Sequence, residues 1–527
     1  MRLWLLPLAL SGILVAANTK KEMIPMRDGV RLAASVSLPS GPGPFPAILS
    51  RTPNTFSQAT DAFVEAGYAV VQQNLRGIQE SEGKWTSFTA ETQDGYDTVE
   101  WIAAQHWSNG KVGVYGSSGS GIAGYLALAS AAPHLSAGAI QDAQCSPYLS
   151  LTYPGGVYQS ALLDIWTRNR GVTPAPEFPR PLIHKLDTEY LQQEIRTHPE
   201  RVKAPILHYT GWFDIFTQGA IDYFTQAQSK GSDKALGNQK LIIHPKGHNG
   251  RLLGDLQWNP DTPEFPALAR RWFDYWLRDI DSGIHKLPAV QYYALGDART
   301  QSGPANAWRS VSGWPPNAQE QSFYLQPGGG LSRTEPKQSI ASSSYDYDPN
   351  DPVPSLTARP DDWLNRPPLD QRPLAKRGDI LRFNSLPLTS PLEIAGPITA
   401  ELFVSTTARD TDFFVRLIDV HPDGFEALMM AQPLRLRFRE GFDKMLPARR
   451  NKVYKIKVDL WSLAMVFPKG HRISVQVTSS DVPRFDRHTN TWDPVHSYEE
   501  AIKATNTVHH SASHPSRLVL PVIKLAR

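Results

Sequence analysis

Three side chains in this sequence could together turn a hydroxyl into a nucleophile. Ser118 stands in the run Gly116-Ser117-Ser118-Gly119-Ser120-Gly121, Asp214 closes Gly211-Trp212-Phe213-Asp214, and His248 follows Gly247. A serine hydroxyl attacks a carbonyl poorly unless a base takes its proton, and an imidazole does this best when an acid holds its far nitrogen. The chain order serine, acid, histidine is the one found in α/β-hydrolases. Asp214 and His248 each sit on a loop just after an apolar, strand-like run. An isolated Asp214 would read as a helix cap and an isolated His248 as a surface histidine; their joint placement behind Ser118 argues for a triad. His244 competes for the role of base, but it lies nearer its strand and is expected to pack.

The stretch Lys111 to Ala132, KVGVYGSSGSGIAGYLALASAA, positions the serine. A strand (Val112–Tyr115) runs into a glycine-pinched turn and then into a run of good helix formers with no proline before Pro133. That is the pattern of a nucleophile elbow, here G-x-S-x-x-G with Ser118 as its serine. The N–H groups at the helix start suit a developing oxyanion, and one donor should be the N–H of Gly119. The second should come from the loop Arg51 to Thr55, where Asn54 is the candidate; Asn54 could instead cap a helix beginning near Thr55. Two other readings of the turn stay open on this stretch alone. It could be a plain strand-to-helix turn, or Gly119 to Gly124 could be a G-x-G-x-x-G dinucleotide loop with Asp142 as the ribose acid. With the rest of the chain supplying an acid and a base, Asp142 reads as an ordinary loop acid.

Other chemistry finds little support. No metal-binding motif with paired cysteines or H-E-x-x-H occurs, and the cluster His509, His510 and His514 reads as a polar loop rather than a metal site. No metal and no cofactor is expected. The only cysteine is Cys145, which excludes an internal disulfide and reads as structural. The formal charge of +3 over 527 residues carries no footprint of nucleic-acid binding. The N-terminus, MRLWLLPLALSGILVAANTKK, has a charged start, an apolar run too short to span a bilayer comfortably, and small residues before Asn18. It predicts a signal peptide over residues 1–17, a secreted or periplasmic protein, and no membrane span once the leader is cleaved.

The elements alternate in a way that builds a mostly parallel sheet. A hairpin turns at Asp28-Gly29. Strands are expected at Phe45–Ser50, Gly67–Gln73, Ser136–Ile140, Ala204–Thr210 and Leu241–Ile243. Helices are expected at Thr55–Glu65, Gln93–Gln105, from Asp214 to about Gln228, and at Phe265–Arg278. Between Ser146 and Lys203 the pattern changes to an insertion with helical runs at Val157–Asn169 and Asp187–Thr197, read as a lid. A Gly- and Pro-rich connector is expected from Gln326 to Arg377. Short strands then recur at Thr399–Ser405, Phe413–Val420, Lys452–Asp459, Arg472–Thr478 and Leu518–Ile523, suggesting a β-sandwich.

With these motifs in place, the chain resembles the serine hydrolases related to cocaine esterase, X-Pro dipeptidyl-peptidases and α-amino acid ester hydrolases. The resemblance rests on MRDGVRLAASVSLP (26–39), LRGIQESEGKW (75–85), GSSGSG, GWFD, RWFDYWL (271–277), YDPNDPVPS (347–355), DTDFFVRLIDVHPDG (410–424) and GHRISVQVTSSDVPRFDR (470–487). It implies an α/β-hydrolase domain (18–146 and 203–295), a helical cap (147–202), and a connector and jelly roll (296–527). It assigns Ser118, Asp214 and His248 the roles already read from the residues. Three positions depart from the family pattern. Gly119 and Asn54 stand where relatives often have Tyr, and Asn74 where they often have Asp. The expected activity is hydrolysis of a carboxylic ester or amide of a small molecule or short peptide through an acyl-enzyme. An X-Pro exopeptidase, or a catalytically silent carbohydrate-binding or adhesion protein, are the alternatives.

Overall fold

The computed structural model describes residues 18–57, 60–85, 88–144, 146–168, 198–300, 303–359, 362–442, 444–492 and 498–524. The expected leader lies outside the described residues, as does the polar helix expected over Asp187–Thr197. Among the described residues, no helix is long and apolar enough to cross a membrane.

Ten strands form the first sheet: β1 (Asn18–Pro25), β2 (Arg31–Leu38), β3 (Phe45–Thr52), β4 (Ala69–Asn74), β5 (Ser108–Ser117), β6 (Leu135–Gln141), β7 (Ile206–Gly211), β8 (Lys240–His244), β9 (Val290–Ala294) and β10 (Ala307–Val311). Their order is β1-β2-β4-β3-β5-β6-β7-β8-β9-β10. From β4 to β9 every pairing is parallel, while β1, β2 and β10 join antiparallel at the two edges. Central parallel strands are covered on both faces, so their middle residues are buried and mostly apolar. The alternation is visible in β3. Ala47 and Leu49 pack with Val99 and Ile102 of helix α2, defined below, and Ile48 packs with Trp272 and Phe273 of α6 on the other side.

Among the described residues, six helices accompany the sheet: α1 (Asp61–Glu65), α2 (Glu91–Ala103), α3 (Gly119–Leu128), α4 (Ser160–Arg168), α5 (Thr217–Lys230) and α6 (Phe265–Arg278). The sequence places α6 correctly because its apolar stripe, Phe265, Leu268, Ala269, Trp272, Phe273 and Leu277, is buried as one face. It misplaces α1, which starts at Asp61 rather than Thr55, with Thr60 at its N-cap. The preceding loop is held instead by side chains. Asn54 N–H donates to Thr52 Oγ1 (3.0 Å) and Ser57 N–H to Gln72 Oε1 (2.8 Å). Such side-chain bonds compete with helix formation.

The connector also proves to be more than a tether. Strands at Gln319–Gln326, Gly330–Ser332 and Ser342–Tyr347 lie within or beside it and join the second sheet. That sheet is a network of twelve strands, all antiparallel pairs except a single parallel bridge at Gly330 and Asn384. Its longest strand, Leu392–Thr406, pairs with Tyr454–Phe467, Ala504–Ser511 and Arg517–Val522. The two sheets share one apolar core, in which Tyr292 of the first, with Trp212 and Trp258 from its loops, packs with Leu325, Ile394 and Leu463 of the second. A backbone bridge from Leu295 to Met465 ties them directly.

Candidate active site

Ser118 sits between β5 and α3 with φ 57° and ψ −128°, a strained conformation for a residue with a Cβ. Two glycines make that turn possible. A Cβ on Gly116 would lie 2.4 Å from the Ser120 carbonyl oxygen, and one on Gly121 would lie 2.7 Å from Ala143 Cβ. The strand and helix therefore approach too closely for any side chain at either position. This fixes the register of the elbow on Ser118 rather than on Ser117 or Ser120.

Asp214 follows β7 and is buried. Its N–H donates to the Gly211 carbonyl (3.0 Å), and its Oδ1 accepts the Phe216 N–H. His248 follows β8 through Pro245-Lys246-Gly247. Its Nδ1 bonds Asp214 Oδ2, and its Nε2 lies 2.9 Å from Ser118 Oγ. With Nδ1–H donating to the carboxylate, Nε2 carries the lone pair and faces the serine hydroxyl. Burial opposes a charge on this imidazole. The charge and hydrogen bond of Asp214 outweigh burial and hold its pKa above the ordinary value. The arrangement can thus take a proton from Ser118 and stabilise the resulting imidazolium. His244 is elsewhere: it is fully buried against Tyr209, with ring centroids 4.9 Å apart, and burial pushes its pKa down to about 3.

The His248 loop is gripped by a segment that the sequence reading assigned to the connector. Asn365 Oδ1 accepts the His248 N–H at 2.6 Å, and Asn365 forms a backbone bridge with Asp214. Ile215 N–H reaches the Leu364 carbonyl (3.3 Å), and Arg366 N–H reaches that of Phe213 (2.8 Å). A Cβ on Gly247 would lie 1.9 Å from Asn365 Oδ1, so a larger residue here would have to push the Asn365 side chain away from the His248 N–H. No motif in Asp362-Trp363-Leu364-Asn365-Arg366 announces this role; only the fold brings it to the acid and the base.

Asp142 corrects the reading of an ordinary loop acid. It directly follows β6, as Asp214 follows β7 three residues on, is fully buried, and has a positive φ of 43°. Donor atoms of Asp142, Asp214 and His248 all lie within 4.8 Å of one another. Its Oδ2 accepts the Asn249 N–H at 2.7 Å, while Asn249 Oδ1 accepts the Ser117 hydroxyl at 3.0 Å. Asp142 therefore ties the histidine turn to the elbow. Burial, and then the charge of Asp214, push its pKa up to about 8. A pKa raised on folding gives stability that is complete below the ordinary carboxylate range and is lost as pH rises through about 8. Asp142→Asn cannot ionise yet can still accept the Asn249 N–H. Its melting temperature should fall less than that of the wild type between about pH 5 and pH 9. Equal slopes in a thermal-shift series would show that the carboxyl is ionised throughout.

A cavity of about 360 Å³ opens above Ser118. Its walls are largely apolar: Phe88, Ile122, Leu151, Leu162, Leu163, Trp166 and Phe216, with Arg251 at one side. Leu162, Leu163 and Trp166 belong to α4, in the segment read as a lid, and Trp166 stacks on Phe88 at 6.1 Å. Gly119 and Asn54 also line the cavity, next to Ser118.

The three departures from the family pattern form one patch. A Cβ on Gly119 would meet Pro53 Cγ at 2.8 Å, so a bare α-carbon lets Pro53 and Asn54 close over the helix start. Asn74 Nδ2 then donates to the Asn54 carbonyl at 2.8 Å, a bond that an ionised Asp could not supply. Asn54 is no helix cap, since α1 begins seven residues later. His509, His510 and His514 lie in or beside a strand rather than in a loop. His509 Nε2 pairs with Ser405 Oγ (2.9 Å) and His510 Nε2 with Ser343 Oγ (3.0 Å).

The likeness to known proteins covers both domains. The family model of X-Pro dipeptidyl-peptidase (S15 family) matches residues 28–183 and 182–250, and that of the X-Pro dipeptidyl-peptidase C-terminal non-catalytic domain matches 282–519. Cocaine esterase of Rhodococcus sp. is 31% identical, with 97% of this chain and 99% of that protein aligned. The chain belongs to the serine hydrolase family of cocaine esterase and X-Pro dipeptidyl-peptidase. Solved structures agree. An α-amino acid ester hydrolase superposes with a TM-score of 0.82 at 28% identity, covering 98% of this chain and 99% of that one. An aminopeptidase from a marine sediment archaeon of the Thaumarchaeota gives 0.80 at 26%, covering 96% of both chains. The α/β-hydrolase sheet and the C-terminal β domain are those of this family, and the chain is a serine hydrolase.

Proposed function

We propose that this serine hydrolase cleaves carboxylic esters of small molecules through an acyl-enzyme on Ser118, with His248 as base and then acid and Asp214 as its orienting partner. The observation that carries the reading is the 2.9 Å approach of His248 Nε2 to Ser118 Oγ at the floor of the apolar cavity. His248 draws the serine proton as Oγ attacks the carbonyl carbon. The proton passes to the departing alcohol, and water repeats the sequence to free the acid. Gly119 N–H and the Asn54 amide hold the oxyanion.

An exopeptidase remains the second reading, on the archaeal aminopeptidase's likeness. It would need a carboxylate to receive a free ammonium group. Among the described residues lining the cavity, the side chain of fixed charge is Arg251, a cation, and no carboxylate is present. That composition favours neutral or anionic acyl groups. Side-by-side turnover of p-nitrophenyl esters and aminoacyl anilides is the deciding measurement; faster anilide cleavage would overturn the preference. Export on a leader over residues 1–17 is part of the proposal, and mature secreted protein should begin at Asn18, the first residue of β1.

Asn54→Ala tests the oxyanion assignment. The loop bonds made by the Asn54 backbone survive the change, so the melting temperature should hold. Loss of one oxyanion donor costs about 100- to 1,000-fold in kcat. An unchanged kcat would move the second donor to a backbone N–H of the same loop.

A further inference from the structure

Far from any role in the Ser118 cavity, three metal-ligand side chains converge from separate stretches of the chain. Asp297 lies in the loop between β9 and β10. His421 follows the strand Asp412–Val420, and His471 directly precedes the strand Arg472–Thr478. One donor atom from each lies within 4.8 Å of the other two. The two imidazoles face each other with ring centroids 4.3 Å apart. None of the three lines the cavity above Ser118.

The hydrogen bonding around the pair is lopsided. His471 Nδ1 bonds the Asp419 carboxylate at 2.9 and 3.1 Å. A histidine held this way carries its lone pair on Nε2, the arrangement of a carboxylate-backed metal ligand. His421 is 3% exposed, and neither of its ring nitrogens has a hydrogen-bond partner. Its Nε2 is 3.6 Å from Asp419 Oδ2, too far for a hydrogen bond. Leaving both nitrogens of a buried imidazole unsatisfied is costly. Other charged groups stand close by. Arg299 N–H donates to Asp297 Oδ1 (2.9 Å), and its guanidinium pairs with Asp423 (2.9 Å) and lies 5.1 Å from the Phe425 ring centre. Asp297 keeps its second carboxylate oxygen for a ligand bond.

We infer that Asp297, His421 and His471 bind a divalent transition-metal ion, zinc by the character of the donors, with Asp419 orienting His471. Two imidazole nitrogens and one carboxylate oxygen are a common zinc donor set. With bonds of roughly 2.1 Å, tetrahedral ligands stand about 3.4 Å apart, so the three groups need only draw together slightly. The ion would supply the partner that His421 lacks. It would also clip the loop after β9, in the first sheet, to two turns of the C-terminal domain. Its role is therefore structural, and hydrolysis at Ser118 does not pass through it.

The test uses the full chain, stripped with EDTA, dialysed, and then titrated with zinc chloride. Elemental analysis after gel filtration should find about one zinc per chain. The melting temperature should rise with free zinc, as it must when a ligand binds only the folded state. Cobalt substitution should give the visible absorption of a four-coordinate site. His421→Ala should lose the bound metal, the cobalt spectrum and the zinc-dependent rise together. Asp297→Asn, at a half-exposed loop position where folding is not at risk, should weaken all three. Metal-free protein should keep its esterase turnover at temperatures well below melting. Wild-type protein that retains no zinc after gel filtration, or His421→Ala protein that retains as much as the wild type, would overturn the site.

Discussion

Ser118→Ala is expected to abolish ester hydrolysis and labelling by a fluorophosphonate probe while leaving the fold intact. Loss of a triad serine costs on the order of 10⁴- to 10⁶-fold in kcat, because the residual rate depends on the oxyanion donors and binding alone. The structure makes this specific to one of three neighbouring serines. Ser117 turns its hydroxyl to Asn249 Oδ1, Ser120 lies inside α3, and only Ser118 meets His248. Ser120→Ala should therefore keep much of the activity and labelling. Full activity in Ser118→Ala would end the assignment, and a matching loss in Ser120→Ala would shift the elbow by two residues.

The second large effect concerns the base. His248→Ala should lower kcat by several orders of magnitude, since its Nε2, 2.9 Å from Ser118 Oγ, is the base placed to accept the serine proton. His244→Ala should act on stability instead. Its ring is buried under Gly211, where a glycine Cβ would lie 2.5 Å from it, and truncation would leave a hole between β7 and β8. Its expected signature is a lowered melting temperature with kcat per active site, counted by probe titration, close to wild type. The reverse pattern would make His244 the base. Activity should also fall on the acid side at a pH above the ordinary imidazole range, because, against burial, the charge and hydrogen bond of Asp214 hold His248 protonated longer.

Much of the catalytic plan is local and hence legible. Ser118 declares itself through Gly116 and Gly121, because only glycine survives a strand–helix crossing that close. Asp214 and His248 declare themselves by standing at the ends of successive parallel strands, where side chains from different strands must converge. The amphipathic stripe of Phe265–Arg278 shows its period in the letters alone.

Other parts were hidden for equally physical reasons. The sequence pattern suggests a start for helix α1 six residues too early, because the Asn54 and Ser57 N–H groups bond side chains rather than helical turns. Asp142 looked ordinary because nothing in Gln141-Asp142-Ala143 reveals that β6 delivers it beside another carboxyl. Asn365 reads as connector in the sequence, since its hold on His248 spans 117 residues.

The sequence by itself determined the two-part α/β and β architecture and singled out Ser118, Asp214 and His248 as a proposed nucleophile, acid and base, because each depends on periodicity, turn chemistry or close glycine contacts within one short segment. The tertiary structure alone decided that Asp142 shares the buried site with Asp214, that Asn365 clamps the histidine loop, and that Asp297, His421 and His471 meet. These are encounters between distant loops, and their energies come from burial and charge at separations that no local pattern records.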